Sequence, residues 1–174
     1  MPTSSRNQNY NIMKKLPKRK PIRLKDYDYS TPGAYFITIC TKDRKELLSQ
    51  IIVGDDAYIV PKLHLSEYGL ICDKFIKNIN VKYKNVTIDK YVIMPNHIHL
   101  IVVIGGTMRA SSPTMNIESI VRSFKIMVTK TIGDSIWHRS YYDHIIRGDE
   151  DYRKIWEYID TNALKWEQDC FYNM

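Results

Sequence analysis

The chain is 174 residues long, enough for one compact domain, and with 44% apolar and 26% charged residues it has a globular rather than a disordered or low-complexity composition. No stretch approaches the roughly 18 consecutive apolar residues of a membrane span, and the N-terminus carries no hydrophobic leader, so a cytoplasmic protein is expected. The net charge of +7 is unevenly spread: residues 1–25 hold Arg6, Lys14, Lys15, Lys18, Arg19, Lys20, Arg23 and Lys25 and no acid, which leaves the rest at −1. A basic arm on a near-neutral body suits a polyanionic partner, although solubilising tails share this composition. The chain therefore divides into an N-terminal arm, 1–25, and a single domain, 26–174. Cys40, Cys72 and Cys170 are odd in number and far apart, with no CxxC spacing, which argues against a disulfide framework or a zinc ribbon.

In chain order, the turn formers Thr31, Pro32 and Gly33 precede an aromatic and β-branched run at 34–41, read as the first strand. Residues 47–62 suit a short hairpin. Ser66 can cap a helix with Tyr68, Ile71, Cys72, Phe75 and Ile79 on its apolar stripe. Two β-rich runs, 86–94 and 97–104, are separated by Pro95 and Asn96 alone, which demands an antiparallel hairpin. A polar loop follows at 105–115. Asn116 then opens a second helix, with Ile117, Ile120, Val121, Phe124, Met127 and Val128 on one stripe and Arg122, Lys125 and Lys130 opposite. A strand at 141–146 and a last helix from Asp149, with stripe Tyr152, Ile155, Trp156, Ile159 and Ala163, complete the chain. The order predicts an α+β fold: a ferredoxin-like antiparallel sheet with helices packed on one face, plus one further C-terminal helix. No P-loop or GxGxxG occurs, so no nucleotide cofactor is expected.

Alternation along a strand puts His97 and His99 on one face, with Ile98 and Leu100 on the other. Two imidazoles so placed make a workable metal pair, and equally two hydrogen-bonded structural histidines. The last helix offers a third donor, because Tyr158 and Asn162 lie one turn apart. No other tyrosine is followed at this spacing by an amide or carboxylate side chain. Both fall at the edge of the apolar stripe, where a nucleophile reaches sheet and solvent alike and where a boundary tyrosine also packs.

These segments resemble the REP-associated tyrosine transposases, a branch of the single-tyrosine HUH transposases related to insertion-sequence transposases. The resemblance runs from residues 22–29 into Pro32-Gly33-Ala34-Tyr35-Phe36, through Met94-Pro95-Asn96-His97-Ile98-His99 and residues 137–147, to Tyr158-Ile159-Asp160-Thr161-Asn162. It implies the HUH fold, with Tyr158 as nucleophile on the C-terminal helix, and His97, His99 and Asn162 as ligands of Mg²⁺ or Mn²⁺. It further implies cleavage and rejoining of single-stranded DNA near palindromic hairpins through a 5′-phosphotyrosine. A domesticated hairpin-binding protein without transposition is the alternative. For DNA contact the basic candidates are Lys18, Arg19, Lys20, Arg23, Arg122, Lys125, Arg139 and Arg147, with Tyr141 and Tyr142 as stacking platforms. Relatives work as monomers or homodimers. Where the family often has Asn-Pro, this chain has Asn162-Ala163, so the helix is expected to run further.

Overall fold

The computed structural model describes residues 27–52, 61–106 and 116–168, for 167 and 168 the backbone only. Strand β1 (Gly33–Cys40) leads through a short 3₁₀ segment to β2 (Ser49–Ile52) and β3 (Lys62–Leu65), which pair as the expected hairpin. Ser66 caps α1 (Glu67–Lys82) by accepting the Gly69 N–H at 3.1 Å. Gly69 has no room for a side chain, because a Cβ there would meet the Leu48 carbonyl. Strands β4 (Val86–Ile93) and β5 (His97–Ile104) form the hairpin around Pro95 and Asn96. Asn116 caps α2 (Ile117–Ile132), which ends at Gly133 in the left-handed region (φ 86°) that glycine reaches without strain. Strand β6 (Tyr142–Ile146) and helix α3 (Gly148–Thr161) follow.

The sheet order is β4-β5-β1-β6, every pair antiparallel. Alternation gives this sheet two different faces. Tyr35, Ile37 and Ile39 of β1 and Ile98, Leu100, Val102 and Ile104 of β5 pack against Cys72, Ile76 and Ile79 of α1 and Ile120, Val121, Phe124 and Val128 of α2. That is the apolar core. Burial pushes the Cys72 thiol up to about 12, so it acts as a small hydrophobe.

Phe36, Thr38, His97, His99 and Ile101 lie on the other face, and α3 crosses there. The expected stripe of α3 is only partly used: Ile159 is its one buried residue, and Trp156, at 37% exposed, stacks on Tyr152 with Lys90 Nζ 4.8 Å from its ring centre. A helix crossing a sheet alone touches it along one line, so the flanks stay open. After Thr161 the chain does not continue as α-helix but tightens into 3₁₀ turns over Asn162–Gln168. Among the described residues no helix is long and apolar enough to cross a membrane.

Candidate active site

The β4–β5 turn is pinned from three sides. Met94 N–H donates to the His97 carbonyl at 2.9 Å, Leu48 N–H to the Pro95 carbonyl at 2.9 Å, and Thr41 N–H to the Asn96 carbonyl at 2.9 Å. The rigid turn delivers His97 and His99 side by side on β5, their ring centres 4.4 Å apart and both buried. Asn96 Oδ1 lies 2.8 Å from His97 Nδ1. Thr38 Oγ1, cross-strand from His99, lies 2.8 Å from its Nδ1. Burial, and then the neighbouring His97, holds the pKa of His99 well below the ordinary imidazole value, so its ring is neutral at physiological pH.

Helix α3 brings Tyr158 over this pair. Its hydroxyl is 3.3 Å from His99 Nε2, its ring centre is 5.2 Å from that of His99, and Phe36 supports both rings at 6.0 and 5.0 Å. Tyr158 is 37% exposed, so the phenol faces a buried imidazole on one side and solvent on the other. Asn162, one turn further on, is 1% exposed, and its backbone remains helical (φ −59°, ψ −42°), which preserves the i,i+4 spacing. Another turn on, Trp166 packs on His97 at 5.8 Å between ring centres. Tyr158 and Trp166 thus cover the two histidines, and Asn162 lies between them in the chain.

No group of three His, Cys, Asp or Glu converges among the described residues, so any third protein donor to a metal here would be of another type. The donor set fits a divalent ion. Two buried imidazoles stand side by side, with Asn96 Oδ1 at His97 Nδ1, and Asn162 offers a buried amide one helical turn beyond Tyr158. At His99, whenever the proton sits on Nδ1, the lone pair on Nε2 would serve either the Tyr158 hydroxyl or a metal, not both at once.

Of the four central candidates, His97, His99 and Tyr158 come together, and Asn162 lies buried one helical turn beyond Tyr158. The basic ones scatter. Lys18, Arg19, Lys20 and Arg23 lie outside the described residues. Arg122 is exposed on α2, in the layer on the far side of the sheet from Tyr158. Lys125 is half-buried, with Nζ donating to the carbonyls of His138 at 2.9 Å and Ser140 at 2.8 Å, and burial pushes its pKa down to about 8. Its first role is to clamp the segment before β6. Arg139 is exposed, and so is Arg147 at the start of α3. Tyr141 is a core residue at 6% exposed and offers no stacking face, whereas Tyr142 is 43% exposed.

His144 lies on the Tyr158 side of the sheet, paired across β1 with Phe36, and its Nε2 is 2.9 Å from Asp151 Oδ2. The same oxygen accepts the Arg147 N–H at 2.9 Å, so Asp151 ties the start of α3 to β6. These bonds, backbone first, hold the Asp151 carboxyl below the usual carboxylate range. Sequence reasoning missed Thr38, Phe36 and Trp166 as site residues. Only the β1–β5 register and the path after Asn162 bring them in; Asn96 sat inside the histidine motif, where its polar side chain was a visible signal.

A family model described as "Transposase IS200 like" matches residues 29–162. A protein of Haemophilus influenzae, described only as uncharacterized, is 36% identical over 174 residues, covering 88% of this chain and 93% of its own length. Among solved structures, that of a REP-associated tyrosine transposase bound to a REP hairpin aligns with a TM-score of 0.58 and 23% identity, over 82% of this chain and 74% of that one. At that identity the likeness is one of fold.

Proposed function

The chain belongs to the IS200-like transposase family, and from that premise we propose that it cleaves and rejoins single-stranded DNA beside a palindromic hairpin, with Tyr158 as nucleophile. The observation that carries this reading is the Tyr158 hydroxyl 3.3 Å from His99 Nε2, next to His97 and the buried Asn162. In the proposed step the phenolic oxygen bonds to phosphorus as the bond to the 3′ oxygen breaks. The phenol loses its proton, and the leaving oxygen takes one up as a 3′-hydroxyl. The product is a 5′-phosphotyrosyl enzyme, and attack by another 3′-hydroxyl reverses the step and joins strands. Phosphodiester energy is kept in the covalent bond, so no nucleotide cofactor is required.

In this reading His97, His99 and Asn162 hold Mg²⁺ or Mn²⁺. When bound, the ion neutralises a non-bridging phosphate oxygen and orients the phosphate for in-line attack. All three donors are neutral, so affinity is expected to be low until a DNA phosphate adds its charge. The hairpin is the partner in the REP-associated structure, and the basic arm of this chain suits the same class of ligand.

The test is incubation with end-labelled single-stranded hairpin oligonucleotides and Mg²⁺ or Mn²⁺, read on a denaturing gel. Wild type is expected to form a covalent adduct and Tyr158→Phe none. Hairpin binding without an adduct would favour a domesticated binding protein, and an adduct that persists in Tyr158→Phe would assign another nucleophile.

A further inference from the structure

We infer that Asn96 is a positioning residue that sets the tautomer of His97 and thereby decides which of its ring nitrogens carries the lone pair a metal ion would use. The inference rests on the metal reading above for its purpose, but the tautomer itself is measurable without any metal. Asn96 is 1% exposed and His97 0%, so water does not compete for the 2.8 Å contact between Asn96 Oδ1 and His97 Nδ1. An amide oxygen carries no proton. The bond therefore exists only with the proton on Nδ1, and the lone pair is then on Nε2. A free imidazole in water prefers the opposite tautomer, so the protein has to impose this one.

The backbone around Asn96 is built to hold the amide still. Its carbonyl accepts the Thr41 N–H at 2.9 Å, and the Pro95 carbonyl is held by Leu48 N–H at 2.9 Å. His99 is treated differently. Its Nδ1 partner is the Thr38 hydroxyl, which can donate or accept, so either tautomer is satisfied. One imidazole is locked as a ligand, and the other can answer both a metal and the Tyr158 hydroxyl.

Two measurements separate this inference from the reading it rests on. Long-range ¹H–¹⁵N correlation of the histidine rings in the metal-free protein is expected to find His97 protonated on Nδ1 in wild type and in Asn96→Asp, which keeps an acceptor. In Asn96→Ala the proton is expected to move largely to Nε2. A wild-type His97 protonated on Nε2, or an unchanged tautomer in Asn96→Ala, overturns the inference. Titration with Mn²⁺ in the presence of a single-stranded hairpin oligonucleotide is expected to weaken about 10- to 100-fold in Asn96→Ala and to be at least as tight as wild type in Asn96→Asp. Equal Mn²⁺ affinity in wild type and Asn96→Ala, with binding abolished in His97→Ala, also overturns it. Equal affinity in wild type and His97→Ala would instead remove the metal reading and leave the tautomer result to stand alone.

Discussion

Replacing Ile159 by Ala tests how the nucleophile helix is held. Of the 14 residues of α3 only Ile159 is buried, at 1% exposed. The remaining ties are the packing of the half-exposed Tyr158 ring on Phe36 and His99, the Asp151 bonds, and Lys90 Nζ to Asp160 Oδ1 at 2.6 Å, with the Asp160 side chain 64% exposed. Exposed ion pairs of that kind contribute at most about 1 kcal/mol, so the single isoleucine should dominate docking. Its truncation removes buried methyl groups and leaves a cavity under α3, a loss of about 2–4 kcal/mol. At about 1.4 kcal/mol per tenfold, the ratio of docked to undocked helix falls roughly 30- to 1,000-fold. Hydrogen exchange by mass spectrometry should find residues 148–161 exchanging faster by that order while α2, packed in the other layer, stays protected. Adduct formation should fall with the docked fraction, and Ile159→Val, at about 1 kcal/mol, should lie between. Unchanged protection of α3 would refute the reasoning, and so would equal acceleration of α2 and α3, since the helix would then be part of the global unit.

Gly69→Ala should destabilise the domain by about 3 kcal/mol or more, because the new Cβ meets the backbone carbonyl of Leu48, which cannot retreat as a side chain can; urea unfolding with a loss under about 1 kcal/mol would contradict this. Lys125 has its folded pKa pushed down to about 8, below the unfolded value near 10.4, so between these limits the unfolded chain binds more protons and stability should rise with pH. Lys125→Met should remove that rise, and identical pH profiles for the two proteins would show that the buried ammonium is not strained. Asp151 works in the other direction: its depressed carboxyl contributes stability above about pH 4, which disappears as pH falls through its folded pKa, so α3 exchange should accelerate in acid for wild type and not for Asp151→Asn. Deleting residues 1–20 removes six cations, and the slope of log affinity for single-stranded DNA against log salt should flatten by about 0.7 for each phosphate that the arm no longer neutralises. An unchanged slope would mean that the arm touches no DNA.

The sequence by itself determined most of the local structure, because the signals are local. Ser66 and Asn116 cap the helices they were expected to cap, and the two residues Pro95 and Asn96 force the hairpin whose second strand carries both histidines. Period-two alternation put His97 and His99 on one face, and period-3.6 spacing put Tyr158 and Asn162 on one flank. What these patterns lack is a relation between distant segments. Nothing in residues 148–161 states that α3 crosses the opposite face from α1 and α2; its stripe reads as a buried helix, yet Trp156 stays 37% exposed. Nothing in β1 states that Thr38 pairs with His99 rather than with a neighbour two residues away, since register depends on which strands meet. Lys125 reads as a DNA contact on a polar helix face, and only the segment folded against it turns it into a clamp on the carbonyls of His138 and Ser140. Tyr141 reads as a stacking surface, and packing makes it core. The residue types and spacings needed for the chemistry are thus written along the chain. Which of them meet, and which nitrogen of His97 carries a proton, follows from contacts that form only when distant strands and helices exclude water together.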